Sequence, residues 1–153
     1  MEKLRLSPSR VNDFTNCPQL YKYRSILNLP EEISLDAERG KLVHTVLEDL
    51  FEVPRPERNH ERATSLLPSA WQRQIADKPE LEKLVTDKQE WMDRAKSLLQ
   101  TYFTLEDPST FDATYRELHL EKDFTDQIYL HGYVDRLDVA PTGEVRIVDY
   151  KTG

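Results

Sequence analysis

The stretch Leu130–Gly153, LHGYVDRLDVAPTGEVRIVDYKTG, decides the fold. Residues 128–139 and 144–151 are rich in Val, Ile, Leu and Tyr and flank Ala140-Pro141-Thr142-Gly143. Pro141 presets φ for the first central turn position, and Gly143 tolerates the left-handed conformation. This chemistry predicts a hairpin with a three-residue loop and a bulge at the glycine. In that register Ala140 lies opposite Glu144 and Asp135 opposite Asp149. Opposed residues share a face, with Cβ atoms about 4.5–5.5 Å apart. Alternation then puts Tyr133, Asp135, Leu137, Val139, Val145, Ile147, Asp149 and Lys151 together. Five of these eight are apolar or aromatic, so this face is expected to meet the core. Two carboxylates and an ammonium stand at its wet end. Opposed like charges destabilise a sheet, and a divalent cation would compensate them. The plainer reading is surface ion pairs, Asp135 with Arg136 or Arg10 and Asp149 with Lys151.

Upstream of the hairpin, residues 114–124 (TYRELHLEKDF) alternate as a strand with Leu118 and Leu120 inward, and Thr125-Asp126-Gln127 turns into the hairpin. Before that the pattern is helical. Ser7 as N-cap and Pro8 at the first position start a helix to Asn16, with Val11 and Phe14 on its apolar side. Cys17-Pro18 interrupts it, and a second short helix runs from Pro18 to Ile26. Asp36 is expected to cap a helix from Ala37 to Glu52, whose Val43, Val46, Leu47, Leu50 and Phe51 follow helical spacing. Residues 53–59 read as a loop and 60–78 as a helix broken near Pro68. A longer helix runs from Glu80 to Leu105 and is ended by Asp107-Pro108. Helices followed by three consecutive strands make an α+β signature, expected as an antiparallel meander covered by helices.

His44 falls beside the helical stripe, with Gly40 one turn before it and Glu48 one turn after. Glycine costs about 1 kcal/mol in a helix relative to alanine, which makes sense where something must approach His44 closely. The plainer alternative is a core-edge histidine bonded to Glu48. Tyr21, Lys22, Tyr23 and Arg24 interleave aromatic and basic groups, a pattern that stacks bases and holds phosphates or forms a half-buried helix with snorkelling cations.

The chain has 153 residues and a net charge of −7, so as a whole it is not an electrostatic nucleic-acid binder. Residues 1–29 nevertheless carry an excess of +3, which leaves −10 for the rest. A single cysteine, Cys17, excludes an internal disulfide and fits a reducing, cytoplasmic setting. No signal peptide and no membrane span is read in the sequence.

One imidazole, two carboxylates and a lysine suit metal-assisted phosphodiester hydrolysis. Carboxylates hold Mg²⁺ at about 2.0–2.1 Å with positions left for water and phosphate. The ion polarises phosphoryl oxygen and acidifies bound water, and an imidazole ligand admits Mn²⁺. At these residues the sequence resembles the RecB-like branch of the PD-(D/E)XK nuclease superfamily. The matching segments are Gly40-x-x-x-His44 with Leu47-Glu48, Gly132-Tyr-Val-Asp135-Arg-Leu-Asp138, and Val148-Asp149-Tyr-Lys151-Thr-Gly153. Leu6-Ser-Pro-Ser-Arg10, Cys17-Pro18 and Tyr21-Lys-Tyr-Arg24 resemble the opening of such domains.

The resemblance implies a restriction-endonuclease-like core within one domain, residues 1–153, with residues 53–110 as a helical insertion and N-terminal helices on an antiparallel or mixed sheet. It implies that His44, Asp135 and Asp149 are ligands to Mg²⁺ or Mn²⁺, that the Tyr150 carbonyl completes the shell, and that Lys151 is the catalytic lysine. Arg10, Tyr21, Lys22 and Arg24 become candidate DNA contacts. The implied activity is a DNA exonuclease in repair or recombination, working with a helicase subunit or domain. The alternatives are a CRISPR-associated adaptation nuclease and a non-catalytic DNA-binding or iron–sulfur module. Relatives carry a further helix with a Gln-x-x-x-Tyr motif and a last strand after the lysine, so a chain truncated after Gly153 is expected. Many also hold an iron–sulfur cluster; Cys17 matches the first of its four cysteines, and a cluster is expected only in a longer parent.

Overall fold

The computed structural model describes residues 3–152; Met1, Glu2 and Gly153, the last residue of the lysine motif, lie outside the described residues. The element order is helices and strands in the α+β manner, with the strands in one mixed sheet ordered β1-β3-β2 and β4 on β3. The chain divides into two compact units, residues up to Glu32 with Glu117–Val134, and Ile33–Arg116 with Asp135 onward.

The first unit holds β1 (Leu4–Leu6), α1 (Pro8–Asn16), α2 (Pro18–Tyr21) and a π-helical turn, Lys22–Ile26. It also holds most of β2 (Tyr115–Asp123) and the first half of β3 (Ile128–Val139). The Ser7 Oγ accepts from the Arg10 N–H at 3.4 Å, the cap that the sequence calls for. β1 is a fourth strand that three residues were too few to announce. It pairs in parallel with β3, Leu4 opposite Ile128 and Leu6 opposite Leu130, so the sheet is not a pure meander. Thr125 builds the turn from β2 to β3, its Oγ1 accepting from the N–H groups of Gln127 and Ile128. Leu118 is half-buried, but Leu120 is exposed rather than inward, as are Val11 and Phe14 of α1. Leu120 and Val11 line an open apolar groove of about 830 Å³ with Leu6, Leu130 and Val134, instead of a sealed core.

The second unit carries the core. It contains α3 (Leu35–Leu50), a 3₁₀ turn (Arg55–Glu57), α4 (His60–Asp77), α5 (Glu80–Leu84), α6 (Lys88–Leu105), the rest of β3, and β4 (Val145–Val148). Leu42, Val46 and Leu50 of α3, Leu67 and Trp71 of α4, Leu81 of α5, and Ala95 and Leu99 of α6 are fully buried in one cluster. Three boundaries differ from the sequence reading. Ser34, not Asp36, caps α3 by accepting from the Ala37 N–H at 3.3 Å. Asp36 sits in the first turn, where a carboxylate favours the helix dipole, and pairs with Arg39. Pro68 lies inside an unbroken α4. A mid-helix proline costs about 3 kcal/mol, and burial of Leu67 and Trp71 around it, at about 1.5–3 kcal/mol for a side chain of that kind, offsets this. The helix expected from Glu80 to Leu105 breaks after Leu84, because Val85 turns into the core and Asp87 caps α6 by accepting from the Glu90 N–H at 2.8 Å.

Glu38 of α3 is buried and accepts from Lys41 Nζ and Lys78 Nζ, both at 2.8 Å, and from Gln74 Nε2 at 3.1 Å. Burial pushes its carboxyl upward, but these donors outweigh burial and hold it down to about 2, against an ordinary 4.5. Its contribution to stability is therefore complete above pH 4.5 and drains away as pH falls toward 2. Because Lys41 is largely exposed and screened, the loss is expected at about 1–3 kcal/mol. Urea unfolding between pH 5 and 2 is expected to have a shallower acid slope in Glu38→Gln than in the wild type; equal slopes would count against this account.

Candidate metal centre

The hairpin register is the predicted one. Leu137 pairs with Ile147 and Val139 with Val145, and the Ala140 N–H donates to the Glu144 carbonyl at 2.9 Å. Gly143 has φ +98, the left-handed turn position. The face expected to meet the core is the wrong one, however. Val139, Val145 and Ile147 are exposed, and Tyr133, within the first unit, is also exposed. The opposite face is covered because Arg136 and Tyr150 reach α6 from it.

Arg136 has 0 % exposure. Its Nη2 donates to Glu106 Oε2 at 2.9 Å and its Nη1 to Glu106 Oε1 at 2.5 Å, so it does not pair with Asp135. It also lies 5.1 Å from the Phe51 ring and 4.9 Å from the Phe111 ring. Burial pushes the Glu106 carboxyl upward, but Arg136 and Tyr102 together hold it below its ordinary value. Burial opposes the charge of Arg136 too, yet Glu106 keeps it firmly protonated.

The ladder ends at Val148, and residues 149–152 continue without regular structure. This segment meets α3. A Cβ placed on Gly40 would lie 2.5 Å from Thr152 Oγ1, so the glycine admits the chain there, one turn before His44. The His44 Nε2 donates to the Tyr150 carbonyl at 2.8 Å, not to Glu48. The Tyr150 N–H donates to Asp135 Oδ2 at 2.6 Å. The His44 Nδ1 stands 3.6 Å from Asp135 Oδ1. One residue of backbone thus ties an imidazole on α3 to a carboxylate on β3.

The protonation follows from the bonds. A carbonyl only accepts, so Nε2 carries the proton, and in neutral imidazole Nδ1 presents a lone pair. That lone pair faces a carboxylate oxygen. A proton on Nδ1 would make this contact an ion pair, and a divalent cation between the two atoms would take that proton's place. An ion about 2.0–2.1 Å from each of two adjacent ligands sets them about 3 Å apart, so the pair fits a hard divalent cation after a small shift. The Nε2–H to a backbone carbonyl is the outer bond that metal-bound histidines ordinarily make.

Asp149 and Lys151 are not drawn into this pair. Their side chains are 61 % and 80 % exposed, and they bond each other, Lys151 Nζ to Asp149 Oδ2 at 2.5 Å. That bond raises the Lys151 ammonium above its usual value. The candidate DNA contacts lie in the first unit. Arg24 is paired with Asp13 at 3.1 Å and Glu31 at 2.6 Å, and Arg10 donates to the Arg5 carbonyl at 3.0 Å. The Tyr21 ring meets Phe14 edge-on at 5.6 Å, and Lys22 is exposed. Cys17, at the start of α2, is exposed and is the chain's only cysteine, so a four-cysteine cluster does not fit this chain. Among the described residues no helix is long and apolar enough to cross a membrane.

Helices with a mixed sheet of four strands, followed by the Asp149–Lys151 segment, are consistent with an α+β restriction-endonuclease-like fold. The PD-(D/E)XK nuclease superfamily model matches residues 5–153, and the chain belongs to that superfamily, whose members are typically metal-dependent nucleases. No curated protein and no solved structure matches it.

Proposed function

We propose that this chain is a Mg²⁺- or Mn²⁺-dependent deoxyribonuclease domain of the RecB-like branch, of exonuclease type, acting in DNA repair or recombination beside a helicase. The observation that carries the reading is the lone pair of His44 Nδ1 held 3.6 Å from Asp135 Oδ1 within a superfamily of nucleases. Asp149 supplies the second carboxylate. With the ion at Nδ1, the Tyr150 carbonyl serves His44 as the outer acceptor of its Nε2–H rather than as a ligand. When bound, a hard divalent cation supplies phosphoryl polarisation and a more acidic water.

The chain's own residues do the rest. His44 and Asp135 would hold the ion, and so the place at which the scissile phosphate would sit. Asp149 holds the Lys151 ammonium one residue beyond Tyr150, where it offsets charge that grows on the phosphoryl oxygens and orients the attacking water. The test is cleavage of labelled single-stranded DNA with Mg²⁺ or Mn²⁺. Lys151→Ala is expected to lower kcat about 10²–10³-fold, the usual loss for one electrostatic group, while Mn²⁺ binding persists. Undiminished cleavage in the variant would overturn the role given to Lys151.

A further inference from the structure

Nothing in the strand ladder holds the segment that carries Tyr150, since pairing stops at Val148 opposite Arg136. Yet this residue bonds both His44 and Asp135 through its main chain. Its side chain is anchored as well. The Tyr150 hydroxyl accepts from Arg136 Nη1 at 2.9 Å, and the guanidinium lies 5.6 Å from the ring centroid. The ring meets Tyr102 edge-on at 5.8 Å and 89°, and His44 edge-on at 5.7 Å and 82°. Arg136 is itself immobilised by its bidentate pair with Glu106, at the end of α6.

We propose that Tyr150 is a positioning residue for the metal pair, and that the buried Glu106–Arg136 pair fixes it from behind. The chain of bonds runs from Glu106 to Arg136 to the Tyr150 hydroxyl, then from the Tyr150 backbone to His44 and Asp135 at once. A shift of this one residue misplaces both ligand atoms together and frees the imidazole to exchange its proton between nitrogens. The inference rests on the metal-site reading above, and it names residues that touch neither metal nor substrate.

The test uses the whole chain and two readouts. Tyr150→Phe removes the hydroxyl and keeps the ring, so the fold should survive; Arg136→Lys is the second variant, keeping the charge and losing the bidentate geometry. Mn²⁺ affinity by calorimetry is expected to fall about 10-fold in Tyr150→Phe, at the low end of losses for outer-shell partners, and further in Arg136→Lys. Nitrogen-15 NMR of the metal-free protein should find His44 as the Nε2–H tautomer in the wild type and as a mixture in both variants. Wild-type tautomer populations in both variants, with unchanged Mn²⁺ affinity, would overturn the proposal. Failure of the wild type to bind Mn²⁺ would overturn the metal reading instead, and the tautomer measurement would still decide whether Arg136 and Tyr150 position His44.

Discussion

Asp135→Ala is expected to abolish Mn²⁺ binding and to lower DNA cleavage by at least about 10²–10³-fold, the scale of losing one preorganised electrostatic group. The size of the effect comes from the two jobs of this carboxylate. Oδ1 faces His44 Nδ1 at 3.6 Å, and Oδ2 accepts the Tyr150 N–H at 2.6 Å. Alanine removes the charge that would hold the ion and also leaves that N–H without its acceptor, a cost of about 1–3 kcal/mol if the group stays buried. Asp135→Asn separates the jobs. Its amide oxygen still accepts from Tyr150, so stability should stay near wild type while cleavage is lost. Cleavage by Asp135→Asn at the wild-type rate would remove this residue from the site.

Arg136→Ala is expected to be the most destabilising single change, at about 3–5 kcal/mol in urea unfolding. Breaking a buried ion pair leaves charge undercompensated, and here Glu106 and Asp138 would lose their buried partner and keep only the half-exposed Arg146 as a counter-charge. The guanidinium also fills space between Phe51, Phe111 and Tyr150, so alanine opens a gap as well. Replacing both partners, Arg136→Met with Glu106→Leu, should regain most of the loss, because a buried pair is roughly matched by apolar residues of similar volume. A double variant as unstable as Arg136→Ala would mean that packing, not the undercompensated charge, sets the cost.

The hairpin was legible because Pro141 and Gly143 dictate a turn type, and the turn type dictates the register. Gly40 was legible for a related reason: a helical glycine beside a histidine asks for a close neighbour, and Thr152 is that neighbour. The face of the hairpin was not legible. A count of apolar residues favours Leu137, Val139, Val145 and Ile147, whereas the buried face is built on Arg136. Burying an arginine depends on a carboxylate 30 positions earlier at the end of a helix, and periodicity carries no mark of that pairing. Pro68 and the break after Leu84 escaped for the same reason, since tertiary burial and a local cap outweighed helix propensity. The bond from His44 to the Tyr150 carbonyl spans 106 positions and likewise leaves no local signal.

The most direct measurement is a calorimetric Mn²⁺ titration of the whole chain beside His44→Ala. Saturable binding is expected in the wild type and at least a tenfold weaker association in the variant, because Nδ1 would be lost as a ligand. Equal binding by the two proteins would contradict this expectation and would place the ion, and with it the chemistry, away from the His44–Asp135 pair.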